Sequence, residues 1–236
     1  MTATAVIVFA RMDSVRLAGK VLADLCGRPL LGRVLDRVHQ VSAEVPVVVA
    51  TSNRGVDDPV AAFAEEDGVR LFRGDCDDVA GRALACCGAY GIERFVRVSG
   101  DSPFIPPELI ERVGAAMPEE GADLVTNVFP RTWPAGASVE LVSCDALRRA
   151  HTNMTREERE HVTAAFYARP QDWRIVNVDA PEGKFEAVRL TVDNAQELDV
   201  ARAIIKRIGK HPETASLDDV VSHFRTVTKT MQAEVL

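Results

Sequence analysis

The first apolar run of the chain, residues 5–9, is followed by three cations and a hydroxyl group: Arg11, Ser14, Arg16 and Lys20. Fixed positive charge beside backbone N–H groups at the end of a buried strand suits the binding of a polyphosphate. The stretch lacks the GxxxxGK[ST] pattern of a Walker A loop and the GxGxxG pattern of a dinucleotide fold. It predicts a triphosphate-binding loop of another type, which we call the cationic loop (residues 10–20). The alternative is a solvated turn with exposed cations.

Two aspartates follow two further β-branched runs. Asp101 comes after Gly100 at the end of the run 95–98, and Asp193 follows the run 188–192. A glycine at such a junction lets the backbone approach a ligand. Mg²⁺ binds hard oxygen ligands and accepts one or two carboxylates together with substrate phosphates, so a triphosphate could complete a metal site between the two aspartates. Each aspartate alone could instead cap a turn or a helix.

The elements that must position these residues alternate between short β-branched runs and longer amphipathic segments. This alternation predicts a mostly parallel sheet with helices on both faces. The predicted strands of the first half are residues 4–9, 45–50, 69–72, 95–98 and 123–126. The predicted helices are residues 30–41, 59–67, 79–90 and 107–117. Ligands of such sheets bind at the carboxyl ends of the strands, where the cationic loop and Asp101 lie.

The alternation changes after Asn127, where prolines and a glycine mark a loop. The elements expected next are a strand at 139–142, a helix at 145–151, a helix ending near 168 and a strand at 173–178. We expect residues 128–187 to form a small lobe inserted in one domain that spans residues 1–236, because no Gly/Ser/Pro-rich linker separates them. The last predicted elements are a strand at 188–192 and helices at 195–208 and 217–224.

Composition narrows the classes of function. The formal net charge is −7, which argues against nucleic-acid binding because that binding needs clustered, uncompensated cations. None of the five cysteines has CxxC spacing, which favours reduced structural thiols over a zinc site or a redox dithiol. No apolar run approaches the ~20 residues of a membrane span, and no signal peptide opens the sequence. We therefore expect a cytoplasmic protein, without membrane insertion, that binds a small anion.

Taken together, these motifs resemble the cytidylyltransferases that make CMP-activated sugar acids. The resemblance is closest to the SpsF-like branch, which is linked to spore-coat and surface polysaccharide synthesis. The runs that carry it are, in chain order, ARMDSVRLAGKVLADLCGRPLLGRVLDRV, VVVATS, FRGDCDDVAGRALACCGAYG, RVSGDSPFIPPELI, EREHVTAAFY and LTVDNAQELDVARAI. They span most of the chain, and their combination in this order makes the resemblance specific.

The resemblance implies a Rossmann-like domain of the glycosyltransferase-A type. Its implied reaction is the transfer of CMP from CTP to a sugar acid or a related small polar acceptor, with release of pyrophosphate. Mg²⁺ would be the cofactor, and a homodimer would form through the inserted lobe. The same fold also supports nucleotide-sugar-dependent glycosyl transfer, although the chain lacks a clear DxD motif. A non-catalytic nucleotide-binding homologue is the other alternative.

The resemblance also implies roles for individual residues. Catalytic roles would fall to Arg11, Arg16 and Lys20. The nucleotide would contact these three and Ala10, Met12, Ser14, Thr51, Ser52, Arg97 and Gly100. The metal ligands would be Asp101 and Asp193. The acceptor would contact Asn127, Glu140, Glu160 and His161. A family-like segment also contains Asp78 and Arg82. His161 is a candidate general base, with a structural or dimer-contact role as the alternative.

Three positions depart from the family pattern. Asp13 stands where the loop usually has glycine, and its carboxylate would weaken triphosphate binding unless it turns outward or pairs with Arg11 or Arg16. Ala18 replaces a usual proline, and Pro106 replaces a usual acid. Because the last change and the run Gly-Ala-Ser-Val-Glu at 136–140 both fall in the acceptor region, we expect a changed acceptor.

Overall fold

A mixed sheet of seven strands, in the order β3-β2-β1-β4-β6-β5-β7, forms the centre of the described part of the protein. The structure is a computed structural model that describes residues 3–41, 45–181, 185 and 187–233. The strands are β1 (Thr4–Phe9), β2 (Val47–Ser52), β3 (Arg70–Gly74), β4 (Arg94–Ser99), β5 (Leu124–Thr126), β6 (Glu140–Ser143) and β7 (Ile175–Asn177). Strands β1 to β4 are parallel to one another, and β6 runs antiparallel to both of its neighbours.

Helices cover both faces of this sheet, as the sequence predicts. They are α1 (Leu30–Val38), α2 (Asp58–Glu66), α3 (Val79–Tyr90), α4 (Pro107–Ala115), α5 (Cys144–His151), α6 (Arg156–Glu160), α7 (Ala164–Ala168), α8 (Ala195–Ile208) and α9 (Leu217–Ala233). In β1, Val6 and Val8 pack into one core, whereas Ala5 and Ile7 pack into the other. Successive residues of a strand point to opposite faces, so a strand that is apolar throughout is buried on both sides.

Several predicted boundaries are confirmed, and others shift for local reasons. The bounds of β1, α3 and α8 are those that the sequence predicts. Strand β2 begins at Val47, because Pro46 has no N–H group to pair with a neighbouring strand. The single helix expected to end near 168 is two short helices, since His161 adopts extended backbone angles after α6.

The predicted strand at 188–192 is wrong. Its β-type pairing is an isolated bridge between Ala135 and Arg189, with a hydrogen bond from the Leu190 N–H to the Ala135 carbonyl, at 2.6 Å. The position beside β4 is occupied by β6, so the segment lies against loops instead of joining the sheet. Its course nevertheless brings Asp193 to the carboxyl end of β4, because the Val192 N–H donates to the Asp101 carbonyl, at 3.0 Å.

Residues 128–187 supply β6 and β7 to the central sheet, together with α5 to α7. Residues 182–184 and 186 of this segment lie outside the described residues. The segment is therefore continuous with the main sheet over its described strands, and its role in dimerisation and acceptor binding stays a prediction. All five cysteines are free thiols. No described helix combines the length and the apolar character that crossing a membrane demands.

Candidate active site

The carboxyl ends of β1 and β4 open onto a cleft of about 450 Å³. This is the edge of the sheet where the sequence places the cationic loop and the first aspartate. Of the residues singled out from the sequence, the cleft is lined by Ala10, Arg11, Ser14, Arg16, Lys20, Arg82, Arg97, Asp101, Glu160, His161 and Asp193. The structure thus brings both aspartates and all three loop cations into one concave site.

The cationic loop is closed on itself at its base. The Gly19 N–H donates to the Met12 carbonyl, at 2.7 Å. Gly19 has a φ of +70°, in the left-handed region where a side chain is disfavoured. A short 3₁₀ helix, Lys20–Leu22, follows at once. This turn buries Lys20 and aims its ammonium group into the cleft, while Arg16 stays largely exposed.

Lys20 joins the two aspartates directly. Its Nζ lies 2.7 Å from Oδ2 of Asp101 and 2.8 Å from Oδ1 of Asp193. The guanidinium of Arg16 lies 2.9 Å from the same Asp193 oxygen. Burial alone would raise the pKa of Asp193, but the hydrogen bond and the charge of Lys20 outweigh it, and the pKa lies below its ordinary value. Asp193 is therefore a carboxylate at neutral pH.

The two aspartates meet because the loops after β1 and β4 touch. The Gly100 N–H donates to the Phe9 carbonyl, at 2.8 Å. A Cβ at Gly100 would lie 3.0 Å from the Phe9 oxygen and 3.0 Å from the Ala10 Cβ, which is tighter than ordinary contacts. Gly100 therefore serves the approach of one loop to the other, whereas the sequence suggests an approach of backbone to ligand.

The pair of aspartates fits a magnesium ion that is completed by other ligands. No described cluster of three or more His, Cys, Asp or Glu side chains could hold a metal by itself. Two carboxylates on one side of an open cleft are nevertheless the contribution that Mg²⁺ commonly takes from a protein, with phosphates and water supplying the remainder. The Lys20 contacts show that these oxygens already attract a cation.

Asp13 pairs with two arginines. Its carboxylate lies 3.5 Å from Arg11 and accepts a hydrogen bond from Arg54 at the end of β2. Burial would raise the pKa of Asp13, but the hydrogen bond from Arg54 and the charge of Arg11 hold it below its ordinary value. Arg11 also contacts Glu160, at 3.2 Å. The negative charge at this unusual position is thus balanced, partly by Arg54, which the sequence does not single out.

Thr51 and Ser52 do not reach the cleft. Both are fully buried at the end of β2. The Ser52 hydroxyl donates to Asp57, and the Met12 N–H donates to the other oxygen of Asp57, at 2.7 Å. Asp57 has no exposed surface. It therefore connects the cationic loop to the end of β2. The sequence does not predict this role, because the adjacent Asp57 and Asp58 both have the character of turn residues.

Asp57→Asn is expected to lower the free energy of unfolding by about 1–3 kcal/mol, because one amide oxygen cannot replace both acceptors of a buried carboxylate. Asp58→Asn is the matched control. Asp58 is 64% exposed and pairs with Arg73 at the surface, so its replacement should cost less than about 1 kcal/mol. Urea unfolding of both variants at pH 7 measures the difference. Equal losses would show that the Asp57 carboxylate does not hold the two segments together.

Arg97 reaches the cleft, supported by a buried carboxylate. Glu140 is 2% exposed and lies 2.5 Å from the Arg97 guanidinium. Tyr167, which the sequence does not single out, donates its hydroxyl hydrogen bond to Glu140. Burial would raise the pKa of Glu140, but the Arg97 charge dominates and lowers it. Burial and Glu140 together raise the pKa of Tyr167.

Two of the four residues assigned to the acceptor lie away from the cleft. Asn127 is fully buried, donates to the Ala137 carbonyl at 2.6 Å and accepts from the Val139 N–H at 2.8 Å. It therefore braces the loop between β5 and β6. Glu140 contacts Arg97 rather than the open site. Only Glu160 and His161 line the cleft.

Asp78 and Arg82 lie in different parts of the structure, and Arg82 is the one that lines the cleft. Asp78 caps α3 by accepting from the Gly81 N–H at 2.7 Å, and it contacts His151 and Arg159, so it joins helices outside the cleft. Arg82 lines the cleft and is 3% exposed. Its Nε is buried without a hydrogen-bond partner among the described residues, and burial lowers its pKa. Arg82 is thus a further cation of the site, beside the three loop cations and Arg97.

Comparison with known proteins agrees with this geometry. Residues 5–204 match the sequence profile of the cytidylyltransferases. The chain is 31% identical over 218 residues to the spore coat polysaccharide biosynthesis protein SpsF of Bacillus subtilis, with 89% of each protein covered.

Two solved structures share the fold. A cytidylyltransferase from Leptospira borgpetersenii matches with a TM-score of 0.89 and 24% identity, over 98% of this chain and 96% of that one. CMP:2-keto-3-deoxy-manno-octonic acid synthetase complexed with CTP matches with a TM-score of 0.64 and 20% identity, over 88% of this chain and 100% of that one. The profile match and the identity to SpsF, together with this shared fold, show that the chain belongs to the cytidylyltransferase family of CTP-dependent nucleotidyltransferases.

Proposed function

We propose that this cytidylyltransferase transfers CMP from CTP to a sugar acid or a related small polar acceptor, in the synthesis of surface polysaccharide or glycoconjugate precursors. The observation that carries the proposal is the convergence of Lys20, Asp101 and Asp193 in one cleft at the carboxyl edge of the sheet. The relation to SpsF supports the polysaccharide context, and the CTP complex of the octonic acid synthetase supports the nucleotide and the acceptor class.

The reaction forms a bond between an acceptor oxygen and the α-phosphorus of CTP and breaks the bond to the leaving pyrophosphate, while the acceptor loses its proton. Negative charge grows on the nonbridging and leaving oxygens. Lys20, Arg16 and Arg11 stabilise that charge from the cationic loop, and Arg82 adds a donor from α3. Arg82 is held in place before the substrate arrives, because its guanidinium is almost fully buried and donates to the Asp75 carbonyl at 2.6 Å.

The acceptor binds near Glu160 and His161, the two residues of the assigned acceptor set that line the cleft. His161 follows α6 directly and is the candidate base for the acceptor hydroxyl. Protein contacts beyond one chain are also proposed: a homodimer through residues 128–187, which sedimentation of the purified protein tests. A monomer at all concentrations would remove that part of the proposal.

Asp101 and Asp193 would hold Mg²⁺, which when bound supplies positive charge to the phosphates. Asp101→Asn and Asp193→Asn should each raise the Mg²⁺ concentration for half-maximal pyrophosphate release by about tenfold or more, because each loses one anionic ligand. Asp123→Asn is the control, since Asp123 pairs with Arg149 outside the cleft. An unchanged Mg²⁺ requirement in both site variants would exclude the two-aspartate metal site.

The nucleotide is tested first and the acceptor second. Each of the four nucleoside triphosphates is added with Mg²⁺, and the rise in melting temperature is expected to be largest for CTP. Pools of sugar acids and phosphorylated sugars are then screened for pyrophosphate release. Hydrolysis of a nucleotide sugar without pyrophosphate release would favour the glycosyltransferase alternative. Stabilisation by CTP without turnover on any pool would favour a binding homologue.

A further inference from the structure

The cation that is buried deepest between the two metal-binding aspartates is Lys20. Its side chain is 9% exposed, compared with 36% for Arg11 and 65% for Arg16. The ammonium contacts one oxygen of Asp101 and one of Asp193 at 2.7 and 2.8 Å. The same carboxylates are the ligands assigned to Mg²⁺. The Lys20 ammonium therefore occupies the carboxylate oxygens that a metal ion would bind.

A metal ion and the Lys20 ammonium repel each other at such a separation, because the ammonium is largely buried and water screens its charge weakly. The ammonium must leave the carboxylates before a divalent ion can bind both of them. Without a nucleotide, the carboxylates of Asp101 and Asp193 are the contacts that stabilise the ammonium. The charges of Arg16, Arg97 and Arg189, which also act on these carboxylates, make departure of the ammonium toward those arginines unfavourable.

A nucleotide changes this balance. The cationic loop lines part of the cleft from Arg11 to Lys20, so a triphosphate bound there would offer new anionic oxygens to the ammonium. The ammonium can then move to a phosphate, which leaves the carboxylates of Asp101 and Asp193 free to hold the metal that would accompany the nucleotide. With the triphosphate present, its negative charge balances both the ammonium and the metal ion. A metal ion that entered alone would leave the ammonium without a counterion.

We propose that Lys20 makes this site selective for nucleotide-bound metal, by occupying the carboxylate pair until a triphosphate draws it away. Free Mg²⁺ is excluded, and Asp101 and Asp193 become metal ligands only in the nucleotide complex. Lys20 is thus a determinant of metal entry as well as a contact for the phosphates. This inference rests on the proposed function for the identity of the nucleotide, but the exclusion of free metal is tested without any nucleotide.

The experiment measures the binding of Mn²⁺ alone by electron paramagnetic resonance, with no nucleotide present. Lys20→Met removes the charge and keeps the length of the side chain, so Mn²⁺ should bind at least about tenfold more tightly than to the native protein. Lys20→Arg keeps the charge and should bind Mn²⁺ as weakly as the native protein does. Lys206→Met, on the exposed side of α8, controls for loss of a lysine elsewhere.

No gain in Mn²⁺ affinity by a folded Lys20→Met protein would overturn the proposal, as would an equal gain in Lys20→Arg. If Lys20→Met does not fold, the proposal is tested on the native protein by comparing its Mn²⁺ affinity with and without CTP. Mn²⁺ should bind at least about tenfold more tightly when CTP is present than when it is absent, in excess of what free CTP binds. Equal affinity in the two conditions would overturn the proposal. Failure of every triphosphate to stabilise the protein would instead refute the proposed function, and the Mn²⁺ gain in Lys20→Met would still stand.

Discussion

Lys20→Met is expected to lower the rate of CMP transfer by about two to three orders of magnitude, the loss that follows removal of one donor to a developing negative charge. The ammonium is 9% exposed, held by Asp101 and Asp193, and aimed into the cleft. Because its charge acts in a partly dry site, water cannot replace it. The loss should appear in kcat at saturating CTP and Mg²⁺, and not only in KM.

The measurement is pyrophosphate release by the native protein, Lys20→Met and Lys206→Met under identical conditions. Lys206 lies near the end of α8, away from the cleft, and its replacement should leave the rate unchanged. Melting curves of the three proteins separate lost chemistry from lost fold. Native turnover in a folded Lys20→Met protein would show that the ammonium does not stabilise the reacting phosphates.

The local hydrophobic pattern of the sequence was sufficient to predict the core of the fold. The run at β1 is apolar on both faces, and such a strand fits only inside a sheet covered on two sides, so its bounds and its burial follow. The segment 188–192 has the pattern of a half-buried strand, with apolar residues alternating with Arg189 and Thr191, but it does not join the sheet. Its extended chain pairs with the loop at Ala135 instead. Sequence alone cannot separate these outcomes, because both bury the same apolar side chains.

The candidate site was also predictable only in part. Residues that follow strand ends converge because parallel strands share one edge, and this places the cationic loop beside Asp101. The partners that hold the site depend on packing between distant segments. Arg54 meets Asp13 and Asp57 meets Met12 only because the loops after β1 and β2 touch. A resemblance transfers a residue type to a position, and it does not say whether Glu140 faces the cleft or the core.

Glu140→Gln is expected to lower the free energy of unfolding by about 2–4 kcal/mol at pH 7, near the cost of breaking a buried ion pair. Glu140 is 2% exposed and paired with Arg97, and glutamine keeps the shape while it removes the charge. Part of the full penalty is relieved because Arg97, at 27% exposure, still meets water in the cleft. Tyr167 retains an acceptor in the amide oxygen.

The same pair makes stability depend on pH. The folded protein holds the pKa of Glu140 below its ordinary value of 4.5, so the folded state favours the carboxylate. This contribution is present above pH 4.5 and is lost as the pH falls through the folded pKa. Asp193, whose pKa is also lowered, loses its contribution on the same side. The native protein should therefore lose stability on acidification, and Glu140→Gln should lose less over the same interval.

Urea unfolding from pH 7 to pH 3 tests both expectations, with Glu120→Gln as the control. Glu120 is paired with Arg174 at the surface, where solvent screens the pair, so its removal should change stability little. The informative quantity is the difference between native and Glu140→Gln stability, which should be largest at pH 7 and shrink toward pH 3. A difference that stays constant with pH would mean that lost packing, and not the charge on Glu140, is what the substitution removes. In that case Arg97 would reach the cleft without needing a buried counterion.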